Sequence, residues 1–239
     1  MLKFNFISTI FNKAKLGSKG EDAFYASSSL LIVADGVGGW KLHGIDPSAY
    51  STALVKNYVH LYEKEQQQCN NNINDMSIFV NACKLNQHIK GSSTFCSCRL
   101  HYNTLHTLNC GDSGYMLIRN GKAIWKSKHQ QHSFNFPYQV GTNGDAPTTA
   151  VTTLHEQLCH NDKVVIATDG LWDNIHDNTI VDMVSNGLTA KSIGKICYKL
   201  SMNNRYLSPF SVGSNYRYIG GKPDDITIIV STIINNNKL

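Results

Sequence analysis

The chain has 239 residues, 41% of them hydrophobic, which is enough for one domain with a core that needs neither disulfides nor a structural metal. Its 22 Lys and Arg against 17 Asp and Glu leave a formal charge of +5, but no dense basic patch interleaved with aromatics, so nucleic acid is disfavoured. The absence of a long apolar run argues against a membrane span, and seven scattered cysteines with no CxxC argue against a disulfide framework or zinc ribbon and suit a reducing compartment.

In chain order, the first 17 residues are basic and free of acids, which would fit a short mitochondrial presequence. The alternation over residues 3–7 fits a first strand instead, and that reading is preferred. A short apolar strand over 30–34 ends at Asp35-Gly36. Asp46-Pro47 opens a helix running to about residue 65, with Ala49, Ala53, Leu54 and Tyr58 along one stripe. A Gln/Asn-rich loop over 66–74 leads to a second helix over about 75–88, with Ile78, Phe79, Ala82 and Leu85 on one face. Strands are expected over 94–102 and 104–109, with Cys96 and Cys98 as small buried hydrophobes on one face. Asn120-Gly121 between 114–119 and 122–126 is the strongest short hairpin signal. A buried strand over 164–167 ends at Thr168-Asp169-Gly170. Helices over 178–185 and 189–202 and a final strand over 226–232 complete the chain. Helices fall in pairs between groups of hairpin-linked strands, so a Rossmann-like alternation is disfavoured and two antiparallel sheets with helices outside them are expected.

The aspartates fall where strands end. Glu21 and Asp22 precede AFY, Asp35 ends LLIVAD, Asp112 follows TLNCG, Asp169 ends VVIATD, and Asp224-Asp225 precede ITIIV. An Asp-Gly pair alone is usually a turn. Recurrence of strand, acid and glycine in a chain otherwise poor in acid points further. Carboxylates gathered beside buried strands repel and are costly unless cations compensate them, and an all-oxygen set suits Mg²⁺ or Mn²⁺.

At these residues the sequence resembles the protein phosphatase 2C family over nearly its whole length. GED at 20–22, ADGVGGW at 34–40, GSST at 91–94, NCGDSG at 109–114, ATDGLWDN at 167–174 and KPDDIT at 222–227 occur in the family's order. QQHSFNFPYQ, YLSPF and GIDPSAYS are similar to its mitochondrial T-cell-activation-type 2C-like branch. The resemblance implies an α+β fold, a four-layer α/β/β/α sandwich of two antiparallel sheets flanked by helices, as one catalytic domain over 1–239. It implies two Mg²⁺ or Mn²⁺ ions, with a third, weaker site in many relatives. Asp35 would bridge the two ions and the Gly36 carbonyl would ligate one. Asp169 and Asp224 would ligate one ion, and Glu21 and Asp22 would hold the other ion's water shell or orient its waters. Asp112 and Asp173, with Asp169, would form the third site. Asp224 is preferred to Asp225, which fills the family's Asn-like position. Asp35, Asp169 and Asp22 are the catalytic candidates.

Two departures stand out. The segment KAKLGSKG before Glu21 lacks the arginine that holds substrate phosphate in many relatives, leaving Lys19 or Lys15 as point-charge substitutes. Val37 occupies the place of a histidine proposed to protonate the leaving group; His43 nearby reads as a surface residue. His129 and His132 lie in a loop or flap rather than a metal pair, and Trp40 and Trp172 read as packing for the Asp-Gly loops. The implied function is hydrolysis of phosphoserine and phosphothreonine in phosphorylated protein substrates, by a monomer. The rival readings are a pseudophosphatase acting as a binding module and a hydrolase of small phosphoesters. The default compartment is cytoplasmic, with mitochondria the family-based alternative.

Overall fold

Side-chain alternation sorts the strands into layers. In the computed structural model, which describes residues 3–68 and 73–235, every long strand that is buried on both faces sends alternate residues to two different cores. The elements begin with β1 (Phe4–Lys13), β2 (Asp22–Ala26), β3 (Leu30–Asp35), α1 (Pro47–Gln68), α2 (Asp75–Leu85) and β4 (Ser92–Ser93). Then come β5 (Phe95–His101), β6 (Thr104–Cys110), β7 (Gly114–Arg119), β8 (Lys122–Lys126), β9 (Gln131–Ser133), β10 (Phe136–Pro137), β11 (Val140–Gly141) and β12 (Val151–His155). The chain continues through β13 (Lys163–Ala167), α3 (Asp169–Trp172), α4 (Asp177–Ser185), α5 (Ala190–Ser201), α6 (Pro209–Gly213) and β14 (Ile226–Asn235).

Two five-stranded antiparallel sheets form, in the orders β1-β14-β13-β7-β8 and β12-β6-β5-β3-β2. Leu31 and Val33 of β3, Cys96 and Cys98 of β5, Val164 and Ile166 of β13 and Ile229 of β14 fill the layer between the sheets. Leu30, Ile32 and Ala34 face the other way, onto Leu54 and Tyr58 of α1 and Phe79 and Ala82 of α2. Val165 and Ala167 face Ile180 and Val184 of α4 and Ile193 and Cys197 of α5. The result is the expected four-layer α/β/β/α sandwich.

The N-terminal segment is a strand paired along its length with β14, Phe4 opposite Asn235 and Lys13 opposite Ile226. Asn120 and Gly121 both take positive φ, 49° and 74°, as the hairpin turn between β7 and β8 requires. The second helix stops at Leu85 and passes through a turn to residue 88, while the first runs on to Gln68, into the polar stretch expected to be loop. Cys69 and the centre of that stretch lie outside the described residues; the other six cysteines are free, and Cys96 and Cys98 share the inter-sheet face. Among the described residues no helix is long and apolar enough to cross a membrane.

Candidate metal-phosphate site

Strand ends converge at one rim of the sandwich, and there the carboxylates meet. Asp22 and Asp35 lie opposite each other where β2 and β3 pair. Asp169 follows β13 as the first residue of α3, and Asp224-Asp225 precede β14. Two glycines let these loops touch. A side chain on Gly36 would meet the Pro47 and Glu21 carbonyl oxygens at 2.5 and 2.7 Å, and one on Gly170 would overlap the Asp225 carbonyl. Gly36 also bridges Ser93, and the Thr94 amide donates to the Asp35 carbonyl at 2.9 Å, so the GSST segment braces the Asp35 loop.

A cleft of about 160 Å³ opens on this rim. Of the residues singled out from the sequence, Glu21, Asp35, Gly36, Asp112, Asp169 and Asp224 line it. Asp173 lines an adjoining cavity of about 550 Å³, with Asp112 common to both. Asp22 lines neither. It is half-buried beside Asp35, its Oδ2 accepting hydroxyls from Thr168 at 2.9 Å and Thr227 at 2.6 Å, so it ties the two sheets together. Asp225 is 3% exposed and accepts the backbone amides of Lys15, at 2.7 Å, and Glu21, fastening the loop before β2. Adjacent residues of an extended segment point in opposite directions, which is why Asp224 reaches the cleft while Asp225 serves the backbone.

Three lysines attend the carboxylates. Lys222 Nζ contacts Asp169, Asp173 at 2.7 Å and Asp224 at 3.3 Å. Lys15 contacts Asp224 at 3.2 Å and Glu21 at 3.5 Å, and Lys41 contacts Glu21. Lys19 is exposed and outside the cleft, whereas Lys15, the other lysine of the segment before Glu21, lines it together with Lys222. Burial pushes the Asp22 carboxyl up to about 8, against its threonine hydrogen bonds. Burial and the neighbouring aspartates push Asp35 well above the usual carboxylate range. Burial and Asp169 push Asp112 the same way, with Lys222 opposing. For Lys222, burial disfavours the charge, but Asp169, Asp173 and Asp224 outweigh it and hold the ammonium charged.

Among the described residues no group of three or more His, Cys, Asp and Glu side chains is drawn together as a ready cation cage. The donor set nevertheless fits divalent ions. Asp112 Oδ1 and Asp169 Oδ1, on residues lining the cleft, and Asp22 Oδ1, on the residue behind Asp35, are hard oxygen donors buried without a partner.

The flap expected over 129–138 is a short β9–β10 hairpin whose Asn135 and Pro137 reach the cleft. Its His132 pairs with Asp145 at 3.0 Å and packs on Tyr138, while His129 lines the adjoining cavity, so the two histidines do different work. Phe134 stacks against Phe210 of α6 and Tyr218, an aromatic clasp that the sequence did not signal. Trp172 is 2% exposed and donates to the Ala167 carbonyl at 2.9 Å; Trp40 donates to Ser92 at 2.6 Å. Both brace loops, as expected, and His43 is an exposed neighbour of Trp40.

The two-sheet sandwich with helices outside is the fold that the resemblance implied, with a carboxylate-lined cleft at its sheet rim. Residues 6–136 and 145–205 match the family described as Protein phosphatase 2C, and the chain belongs to that family. It is 37% identical over 237 residues to the probable protein phosphatase 2C 55 of Arabidopsis thaliana, covering 92% of this chain and 49% of that protein. It is 35% identical over 247 residues to the protein phosphatase PTC7 homolog of Homo sapiens, covering 90% of this chain and 79% of the relative. The chain thus spans about half the length of the first of these relatives and most of the second. Among solved structures, the photosystem II phosphatase PBCP superposes with a TM-score of 0.86 at 26% identity, over 95% of this chain and 98% of the other. The catalytic domain of the serine/threonine protein phosphatase PstP, solved with 2 manganese ions, shares the fold with a TM-score of 0.66 at 18% identity, over 98% of this chain and 100% of that one.

Proposed function

We propose that this chain is a metal-dependent serine/threonine protein phosphatase that hydrolyses phosphoserine and phosphothreonine in protein substrates. The observation that carries this reading is the set of buried carboxylate oxygens left without partners, on Asp112 and Asp169 in the cleft and on Asp22 behind it, in a chain of this family. Mg²⁺ or Mn²⁺ would be held by Asp35, the Gly36 carbonyl, Asp169 and Asp224, with Glu21 and Asp22 setting the water shell. Bound there, the ions supply an activated water and the positive charge that a phosphate ester needs.

The chain's own residues do the rest. Asp22, half-buried beside Asp35 and held by two threonine hydroxyls, fixes the inner wall of the site. Lys15 presents an ammonium beside Asp224 and Glu21, the side chain best placed to meet an incoming phosphate oxygen in the absence of an arginine fork. Val37 lines the cleft and cannot donate a proton, so protonation of the leaving alkoxide falls to a group other than residue 37. Asn135 and Pro137 of the flap close one side and limit access of bulk water. The adjoining cavity beside Asp112, walled by Phe134, Trp172 and Phe210, has the size of a binding site and offers room for the residues flanking the phosphorylated one.

The test is hydrolysis of a phosphothreonine peptide with Mn²⁺ or Mg²⁺ and with EDTA, for wild type and Asp169→Asn. Metal-dependent turnover, lost with EDTA and in the variant, supports the reading. Folded protein with no turnover in either metal overturns it in favour of a binding module. Turnover of small phosphate esters but not of the peptide would move the substrate class.

A further inference from the structure

Two of the three residues that the resemblance assigns to a third cation, Asp169 and Asp173, hold a side chain of this protein between them, with Asp112 nearby. Lys222 Nζ touches Asp169 and lies 2.7 Å from Asp173 and 3.3 Å from Asp224. Its side chain is 15% exposed, so the ammonium is largely out of water and depends on these carboxylates for compensation. The Phe210 ring, 5.2 Å from Nζ, covers it from the α6 side.

The backbone that carries Lys222 is equally fixed. Its amide donates to Asn174 Oδ1 at 2.8 Å, and its carbonyl accepts from Asn174 Nδ2 at 2.9 Å. Asn174 is itself buried and tied to the Gly170 carbonyl at 3.0 Å, within the loop that carries Asp169 and Asp173. The Gly221 amide donates to the Asn203 carbonyl at 2.9 Å. Residue 222 and the Asp169–Asp173 turn are therefore one braced unit, and the ammonium is built into it.

We infer that the Lys222 ammonium takes the place of a third metal ion, so that this phosphatase works with two divalent cations and a fixed lysine charge. A third ion bound between Asp169 and Asp173 would have to displace the ammonium past Phe210 or share its carboxylates with a like charge at close range. Lys222 is thus a positioning residue: it neutralises Asp173, holds Asp169 in place from its Oδ2 side, and leaves Asp169 Oδ1 free for an ion of the pair. Because the charge is covalently attached, it does not fall off as the free metal concentration drops.

This inference rests on the two-ion reading above. The experiment is a Mn²⁺ titration of metal-stripped protein, with bound ions counted by equilibrium dialysis and folding checked by circular dichroism. Two Mn²⁺ per chain are expected for wild type. Lys222→Met should bind three, or bind the third at least tenfold more tightly than wild type, and adding Asp173→Asn to it should return the count to two. Asp173→Asn alone should leave the wild-type count unchanged, and this arm decides the matter if Lys222→Met does not fold. Three ions in wild type, a fall in count on Asp173→Asn alone, or an unchanged count in folded Lys222→Met would overturn the role of Lys222 while leaving the phosphatase reading in place. No bound Mn²⁺ in folded wild type would sink both.

Discussion

The chain buries carboxylates in two kinds of place, and treats them differently. On the outer face of the β2-side sheet, Asp75 of α2 receives both arms of Arg99 at 2.8 and 2.7 Å and the Tyr58 hydroxyl at 3.1 Å. At the far end of the other sheet, Asp162 receives Arg119 at 2.8 and 2.7 Å and the Cys159 amide at 2.8 Å. Both are satisfied by a planar fork that matches two oxygens at once. At the rim cleft there is no arginine. Lysines attend Glu21, Asp169, Asp173 and Asp224 as point charges, and Asp112 and Asp169, with Asp22 behind them, each keep an oxygen with no partner. The structural carboxylates are closed; the rim carboxylates keep free oxygens, as the proposed metal site requires.

The comparison can be broken at its structural end first. Arg99→Met should strip Asp75 of its fork and leave a buried charge unpaired, destabilising the fold by about 3–5 kcal/mol in urea unfolding. An effect below about 1 kcal/mol would mean that the pair is no more than a surface contact. At the functional end, Asp169→Asn should lower metal-dependent peptide hydrolysis by about 10²–10³-fold or more. The same change takes one of three carboxylates from Lys222, which keeps Asp173 and Asp224, while easing repulsion among the rim carboxylates, so metal-free stability should change far less than in Arg99→Met. A fall in metal-free stability as large as that of Arg99→Met would erase the distinction between the two places.

Metal binding sharpens the contrast on a middle scale. Mn²⁺ at about a hundred times its dissociation constant should stabilise wild type by about 2.7 kcal/mol, seen as a rise in melting temperature. Arg119→Lys should keep that rise, whereas Asp35→Asn should lose most of it. The smallest effect expected comes from His106, half-buried beside the Arg99–Asp75 pair. Burial first, then Arg99, pushes its imidazole down to about 4. Between about pH 6.5 and about pH 4 the unfolded chain therefore binds the proton that the folded chain refuses, so stability is lost as pH falls through that window. In urea unfolding at pH 7 and pH 5, His106→Asn should show a shallower loss than wild type; an equal loss would assign the acid sensitivity elsewhere.

The order of strands and helices, the two-sheet sandwich and the recurrence of acids at strand ends were legible in the sequence, because alternation, Asn-Gly turns and strand-terminal Asp-Gly pairs are local signals. The edge strand Val151–His155 was not, since both its faces are largely exposed and it carries no apolar alternation. The short helix Pro209–Gly213 and the aromatic clasp of Phe134, Phe210 and Tyr218 depend on contacts between distant segments, to which no local pattern points.

What the sequence determined by itself was the family, the fold and the inventory of carboxylates at the rim. Tertiary structure decided their placement: Asp224 in the cleft and Asp225 on backbone amides, Asp22 behind Asp35 between two threonines, Lys15 rather than Lys19 beside the carboxylates, and Lys222 among Asp169, Asp173 and Asp224. The reason is physical. A strand's alternation is written in neighbouring residues, whereas the direction of a loop carboxylate, and the reach of a lysine on its four-carbon stem, are set only when segments more than a hundred residues apart (β2 and β14 among them) are brought to the same rim.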